Sequence, residues 1–278
     1  MASATVAPWA QPSASALDIN PGVACAAAVG YLEQTNGDMY RLSDPNLTSP
    51  WDASVDIGLR HFGTGWTSFV AFAAGGDGVI YAIDRSGNLL WLRDRFPATG
   101  SISWTVRTVL TGLSSSTIRG MTVGRGGMIY LERTDGSLVL YRHTGHLTGE
   151  ATWATPNGVV IGRGFTGLLA ADGDGVLYRQ VGGSLYRYRH IVAATGGVSW
   201  TNGGVGIRIG SGWTFRGLSA LGSGVIYATS SNGTVTAYQD HDPNGTTANW
   251  GNPDPRIPAP PAGTLTTTWN PGTCTPTP

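Results

Sequence analysis

Short apolar runs, each broken after a handful of residues by a turn signal, dominate the hydrophobic pattern of this chain. Residues 65–110 show it plainly. GWTSFVAFAAG is one apolar run, GDGVIYAID a second, NLLWLRD a third and SWTVRTVL a fourth. Runs of this length, rich in Val, Ile, Tyr and Trp, suit strands on a pleated and half-buried surface. No stretch carries the apolar period of an amphipathic helix. Between the second and third runs stands Ser86-Gly87, which predicts a tight type I′ hairpin because Gly, Asn and Asp tolerate positive φ.

The pattern repeats. The Tyr that ends the second run recurs as Tyr31, Tyr81, Tyr130, Tyr178 and Tyr227, in steps of 50, 49, 48 and 49. After each comes a turn signal: Asn36-Gly37, Ser86-Gly87, Asp135-Gly136, Gly182-Gly183 and Asn232-Gly233. Further on stands Trp51, Trp104, Trp153, Trp200 or Trp250. Three markers keep one period and each counts to five, the signature of a repeat architecture. Four strands per unit suit radial repetition, so the expected fold is all-β: a five-bladed β-propeller with four-stranded antiparallel blades. A linear β-solenoid is the alternative, but its repeats are shorter and its ends need polar caps.

Residues 1–20 form an N-terminal extended segment, and 21–278 a single propeller domain with repeats near 25–64, 65–111, 112–163, 164–211 and 212–278. The fifth unit turns Pro-rich after Trp250, and the first begins late with a shortened first strand. A closed ring joins these two ends, and the two cysteines, Cys25 and Cys274, lie at that seam. They are readable as two buried thiols or as one disulfide in an oxidising compartment. A disulfide is the expectation.

Composition narrows the partners. The chain has 278 residues, 17 basic (all Arg) and 17 acidic, for a net charge of zero. Charged residues are 12%, about half the usual share. Scattered Arg offers no basic face for nucleic acid, and no apolar run approaches the ~20 residues of a membrane span. The start lacks the basic and apolar regions of a signal peptide, so it reads as a mature N-terminus with an added Met or as a non-secreted start. The 42 Gly alone would suggest disorder, but 10 Trp and 10 Tyr argue for a packed fold.

Catalytic constellations are missing from the pattern. Glycosidases need two carboxylates flanking the sugar, yet only Glu33, Glu132 and Glu150 are present, the first two at the same repeat position. Asp172-Gly173-Asp174-Gly175 lacks the spaced ligands of a calcium loop, and His143 and His146 lack the partners of a zinc site. The sequence is read as non-enzymatic, with no cofactor and no metal.

The segments GDGVIYAIDRSGNLLWLRD, SLYRYRH and IGSGWTFRGLSALGSGVIYA resemble the tachylectin-type lectin repeat. The resemblance spans roughly residues 25 to 257. It implies a secreted multivalent lectin that binds glycans with terminal N-acetylglucosamine or N-acetylgalactosamine between adjacent blades. Each pocket is then formed by the loop between the outer strands of a blade and the connection from the preceding blade. Sugar pockets combine an aromatic face with a few polar groups, so the candidates from the loops are Asp44, Asn46 and Trp51; Asp94 and Trp104; His143 and Trp153; His190, Trp200 and Asn202; and Asp240, Asp242, Asn244 and Trp250. Trp66 and Trp213 come from the connections. The Trp residues are equally readable as core between blades. A propeller scaffold that binds a protein through one face is the alternative function.

Overall fold

A computed structural model describes residues 60–257, apart from 77, 96–102, 173–174, 223, 233 and 251–253, together with 23–25, 28–33, 36–44, 270–271 and 274–276. The chain opens with β1 (Val23–Cys25) and continues with β2 (Ala28–Glu33), β3 (Met39–Asp44) and β4 (Arg60–Gly63). The second blade holds β5 (Phe69–Gly76), β6 (Val79–Asp84), β7 (Leu89–Asp94) and β8 (Trp104–Leu110). The third holds β9 (Ile118–Gly124), β10 (Met128–Arg133), β11 (Leu138–Arg142) and β12 (Val159–Gly162). The fourth holds β13 (Leu168–Asp172), β14 (Val176–Val181), β15 (Ser184–Arg189) and β16 (Ile207–Ser211). The fifth holds β17 (Gly217–Gly222), β18 (Val225–Thr229), β19 (Val235–Gln239) and β20 (Asp254–Ile257), and β21 (Asn270–Pro271) and β22 (Cys274–Pro276) close the chain.

Each of the second to fifth blades is an antiparallel sheet with its strands in chain order. The innermost strands pack in a ring: β5 on β9, β9 on β13, β13 on β17, β17 on β21, and β21 back on β5. This is the five-bladed propeller. The first blade is completed from the far end of the chain, because β21 pairs with β2 as its innermost strand. Residues 270–271 therefore belong to the first blade and not to the fifth unit, which supplies its own four strands. Beside them β1 pairs with β22, with Cys25 directly opposite Cys274.

The core lies between blades. The second-strand tyrosines Tyr31, Tyr81, Tyr130, Tyr178 and Tyr227 are all fully buried. The hairpins of the second and third blades differ from the expected type I′. In the second blade the Gly87 N–H donates to the Asp84 carbonyl (3.1 Å) and the Asp84 N–H to the Asn88 carbonyl (3.0 Å). Only Gly87 has positive φ (81°), which makes a type I turn followed by a glycine bulge. The third blade repeats this at Arg133–Ser137. Ser86 and Asp135 keep negative φ, and one glycine suffices. In the fourth blade Gly182 and Gly183 both have positive φ, and Val181 pairs directly with Ser184. That hairpin alone, among those described, has the two-residue form.

Candidate functional site

The joints between blades follow one plan. Each connection docks on the preceding hairpin: the N–H groups of Trp66, Leu113, Phe165 and Trp213 donate to the carbonyls of Gly37, Gly87, Gly136 and Gly183 at 2.9 to 3.1 Å. This pulls Trp66, Phe165 and Trp213 into the joint, where all three are buried. The outer loop of the same blade then folds over them. Its Trp sits half-buried, paired through a bridge with the residue that follows the third strand, as in His143–Trp153, His190–Trp200 and Asp240–Trp250. The indole N–H of Trp153, Trp200 and Trp250 donates to Val109, Ile161 and Ile209 carbonyls of the preceding blade, at 3.1, 2.6 and 2.6 Å. The rings meet the connection aromatics: Trp104 lies 6.1 Å from Trp66, Trp200 6.0 Å from Phe165 and Trp250 5.6 Å from Trp213.

The residue at or just past the end of the third strand faces backward as well. Asp94, His143, His190 and Asp240 are fully buried, and each lies against the second-strand Tyr of the preceding blade. Tyr31 and Tyr178 donate to the carboxylates of Asp94 and Asp240 at 3.3 and 3.4 Å. These two carboxylates also receive a buried arginine, Arg41 to Asp94 at 2.8 Å and Arg187 to Asp240. Arg187 goes on to bond the carbonyls of Asp242, Gly245 and Thr247, which shapes the fifth outer loop. At the other two described joints the arginine position holds Trp91 and Leu140, and the partner is histidine.

His143 Nε2 meets the Glu150 carbonyl at 2.7 Å and so carries the proton, leaving Nδ1 to accept from the Tyr81 hydroxyl at 2.7 Å. His190 Nε2 donates to the Gly197 carbonyl in the same way, at 2.7 Å. Burial holds both imidazoles below their ordinary pKa, which keeps them neutral at pH 7. Trp91 takes over the loop-shaping task, with its indole N–H on the His146 carbonyl at 2.7 Å.

Two sequence profile matches, over residues 31–149 and 122–259, carry the description Tachylectin. The chain belongs to the Tachylectin family. A comparison with curated proteins found no match. Among solved structures, this Tachylectin-family chain is similar to one from work on the de novo evolutionary emergence of a symmetrical protein, at 17% identity, with a TM-score of 0.52 over 83% of this chain and 94% of that one. It is also similar to the SapL1 lectin in complex with alpha methyl fucoside, at 13% identity, with a TM-score of 0.46 over 87% and 84%. The first likeness shows the fold.

The sixteen candidates thus separate by placement. Asp94, His143, His190 and Asp240 are buried in blade-to-blade contacts, and Trp66 and Trp213 are buried beneath the outer loops. Trp104, Trp153, Trp200 and Trp250 stand at the joint edges, with Asp242 partly exposed and Asn202 and Asn244 exposed. Asn202 is the one described non-glycine residue with positive φ (51°), a conformation that Asn tolerates better than most residues. Asn46, Trp51 and the side chain of Asp44 lie outside the described residues. The sequence reading missed Arg41, Arg187 and Trp91. Their signal was available: Arg41 precedes Asp94, and Arg187 precedes Asp240, by the same 53 residues.

Among the described residues, no group of three or more His, Cys, Asp and Glu side chains is placed to hold a metal ion. No helix among them is long and apolar enough to cross a membrane.

Proposed function

We propose that this chain is a secreted, non-enzymatic, multivalent lectin that takes terminal N-acetylglucosamine or N-acetylgalactosamine at the clefts between adjacent blades. Family membership across the repeats is the observation that carries this reading. The joint plan supports it, because a half-buried Trp recurs at the edge of each described joint with polar loop groups beside it. In this reading Trp104, Trp153, Trp200 and Trp250 offer the sugar an aromatic edge, and Asn202, Asp242 and Asn244 offer hydrogen bonds to its hydroxyl and acetamido groups. The buried Asp, His and connection Trp residues hold the cleft in shape. Asp44, Asn46 and Trp51 are assigned to the equivalent cleft of the first blade. Several weak sites on one rigid ring gain avidity on a glycan-coated surface. We further assign Cys25 and Cys274 to a disulfide across the ring seam.

The test is a calorimetric and NMR titration with each N-acetylhexosamine. Roughly millimolar affinity per site with more than one site per chain is expected. Absence of heat and of shift changes with both sugars, alongside saturable binding of a protein partner, overturns the reading in favour of a scaffold.

A further inference from the structure

A cavity of about 310 Å³ lies where the innermost strands β5, β9, β13 and β17 begin, and none of the sugar-site candidates lines it. Its wall is apolar at Met121 and Leu169 and charged at Glu33, Arg119, Glu132 and Arg216. Glu132 is the unusual member. It is only 4% exposed, and its Oε1 has no hydrogen-bond partner among the described residues. The other oxygen, Oε2, lies 3.8 Å from Arg119 Nη2.

The next blade shows an amide at the same position with both ends satisfied. There Gln180 donates to the Phe215 carbonyl at 2.6 Å and accepts from the Phe215 N–H at 3.2 Å, so both ends of the amide are satisfied within the joint. In the third blade the corresponding carbonyl, that of Gly167, is taken by Arg119 Nη2 at 2.5 Å. A carboxylate replaces the amide and is left with one oxygen to spare beside the Arg119 guanidinium. Buried polar atoms are rarely left unpaired without a reason.

We propose that this axial cavity is a binding site for a free α-amino acid with an apolar side chain. The ammonium donates to Glu132, the carboxylate pairs with Arg119 and Arg216, and the side chain lies on Met121 and Leu169. A zwitterion suits the lining because Glu33 and Glu132 stand in one cavity with Arg119 and Arg216, a set for each end of the ligand. A lone anion or cation leaves one of these two sets unused. Burial pushes the Glu132 carboxyl up to about 7, against the pull of Arg119 and Arg179. An ammonium group beside this carboxylate draws it back down, so binding near neutral pH releases a proton.

The probe is L-leucine, titrated into the full chain while the Met121 methyl resonance is followed. 4-Methylpentanoate, which lacks the ammonium, and isopentylamine, which lacks the carboxylate, serve as comparisons. Saturable binding of leucine is expected, with each comparison compound about tenfold weaker or worse. Glu132→Gln places at this position the residue the next blade already carries, so the variant is expected to fold. It and Arg119→Met on the exposed rim each weaken leucine binding by about tenfold. N-acetylhexosamine binding stays unchanged in both, which separates this site from the blade joints. An absent leucine response, equal binding to Glu132→Gln, or equal binding of 4-methylpentanoate overturns the proposal.

Discussion

Aspartate or histidine at a described joint goes with what faces it from the preceding blade. Where Arg41 or Arg187 arrives, the residue is Asp94 or Asp240. Where Trp91 or Leu140 occupies that place, it is His143 or His190, held neutral by burial. A buried carboxylate stripped of its cation is costly, by about 3–5 kcal/mol. Arg187→Leu is therefore expected to lower stability by about that amount in chemical denaturation. Adding Asp240→His copies the neutral joint and is expected to recover part of the loss, though not the loop carbonyl bonds that Arg187 makes. A double variant no more stable than the single would refute this charge-matching account.

The same residues set a pH dependence. The folded pKa of each joint histidine lies below its ordinary value of 6.5, so their contribution is complete above that pH and is lost as pH falls below it. Glu132 runs the other way. Its folded pKa of about 7 exceeds the ordinary 4.5, so its contribution is complete below about 4.5 and lost as pH rises through 7. At alkaline pH this costs up to about 3 kcal/mol. Melting temperatures across this range should pass through a maximum on the mildly acidic side. Glu132→Gln should flatten the alkaline limb and leave the acid limb in place. An unaltered alkaline limb would show that another group is responsible.

At the scale of elements, the hairpins carry both joint geometry and strain. Gly87 has φ of 81°, and an added Cβ would collide with the Leu113 carbonyl of the next blade's connection. Gly87→Ala is expected to destabilise by about 2 kcal/mol or more, through strain and loss of that docking contact. Gly182 has φ of 56° and open space around it, and Asn-Gly is a favoured pair in its turn type. Gly182→Asn should stay within about 0.5 kcal/mol of the parent in the same denaturation experiment.

The four strands of the second to fifth blades and the hairpin positions were legible in the sequence because Tyr, x-Gly and Trp each mark a fixed place in the repeat, whereas the β21 strand of the first blade and the β1–β22 pair carry none of these markers. Turn type was not legible, since Ser86-Gly87 and Gly182-Gly183 look alike as signals yet place one or two residues at positive φ. The candidate site was half legible. A polar residue such as His143 beside a Trp looks the same in sequence whether it faces a ligand or a tyrosine of the neighbouring blade.

At the scale of the molecule, the ring depends on its last residues. β21 is the innermost strand of the first blade, so the ends of the chain are held together by two short pairings, β21 on β2 and β22 on β1. Directly opposed residues of an antiparallel pair have Cα atoms about 4.5–5.5 Å apart, inside the range a disulfide spans, and Cys25 faces Cys274 in this register. A bond there closes a loop of nearly the whole chain, which the chain-entropy model values at about 5 kcal/mol. Thiol counting on the unreduced, denatured protein is expected to find no free thiol, and reduction should lower the unfolding midpoint. Truncation before residue 270 removes both pairings and the inner strand together. It should therefore cost more than reduction alone, and expose the edge of β2 to other chains. Two free thiols in the purified, oxidised protein would overturn the disulfide, while the truncation result would still report whether the short C-terminal strands suffice to hold the ring closed.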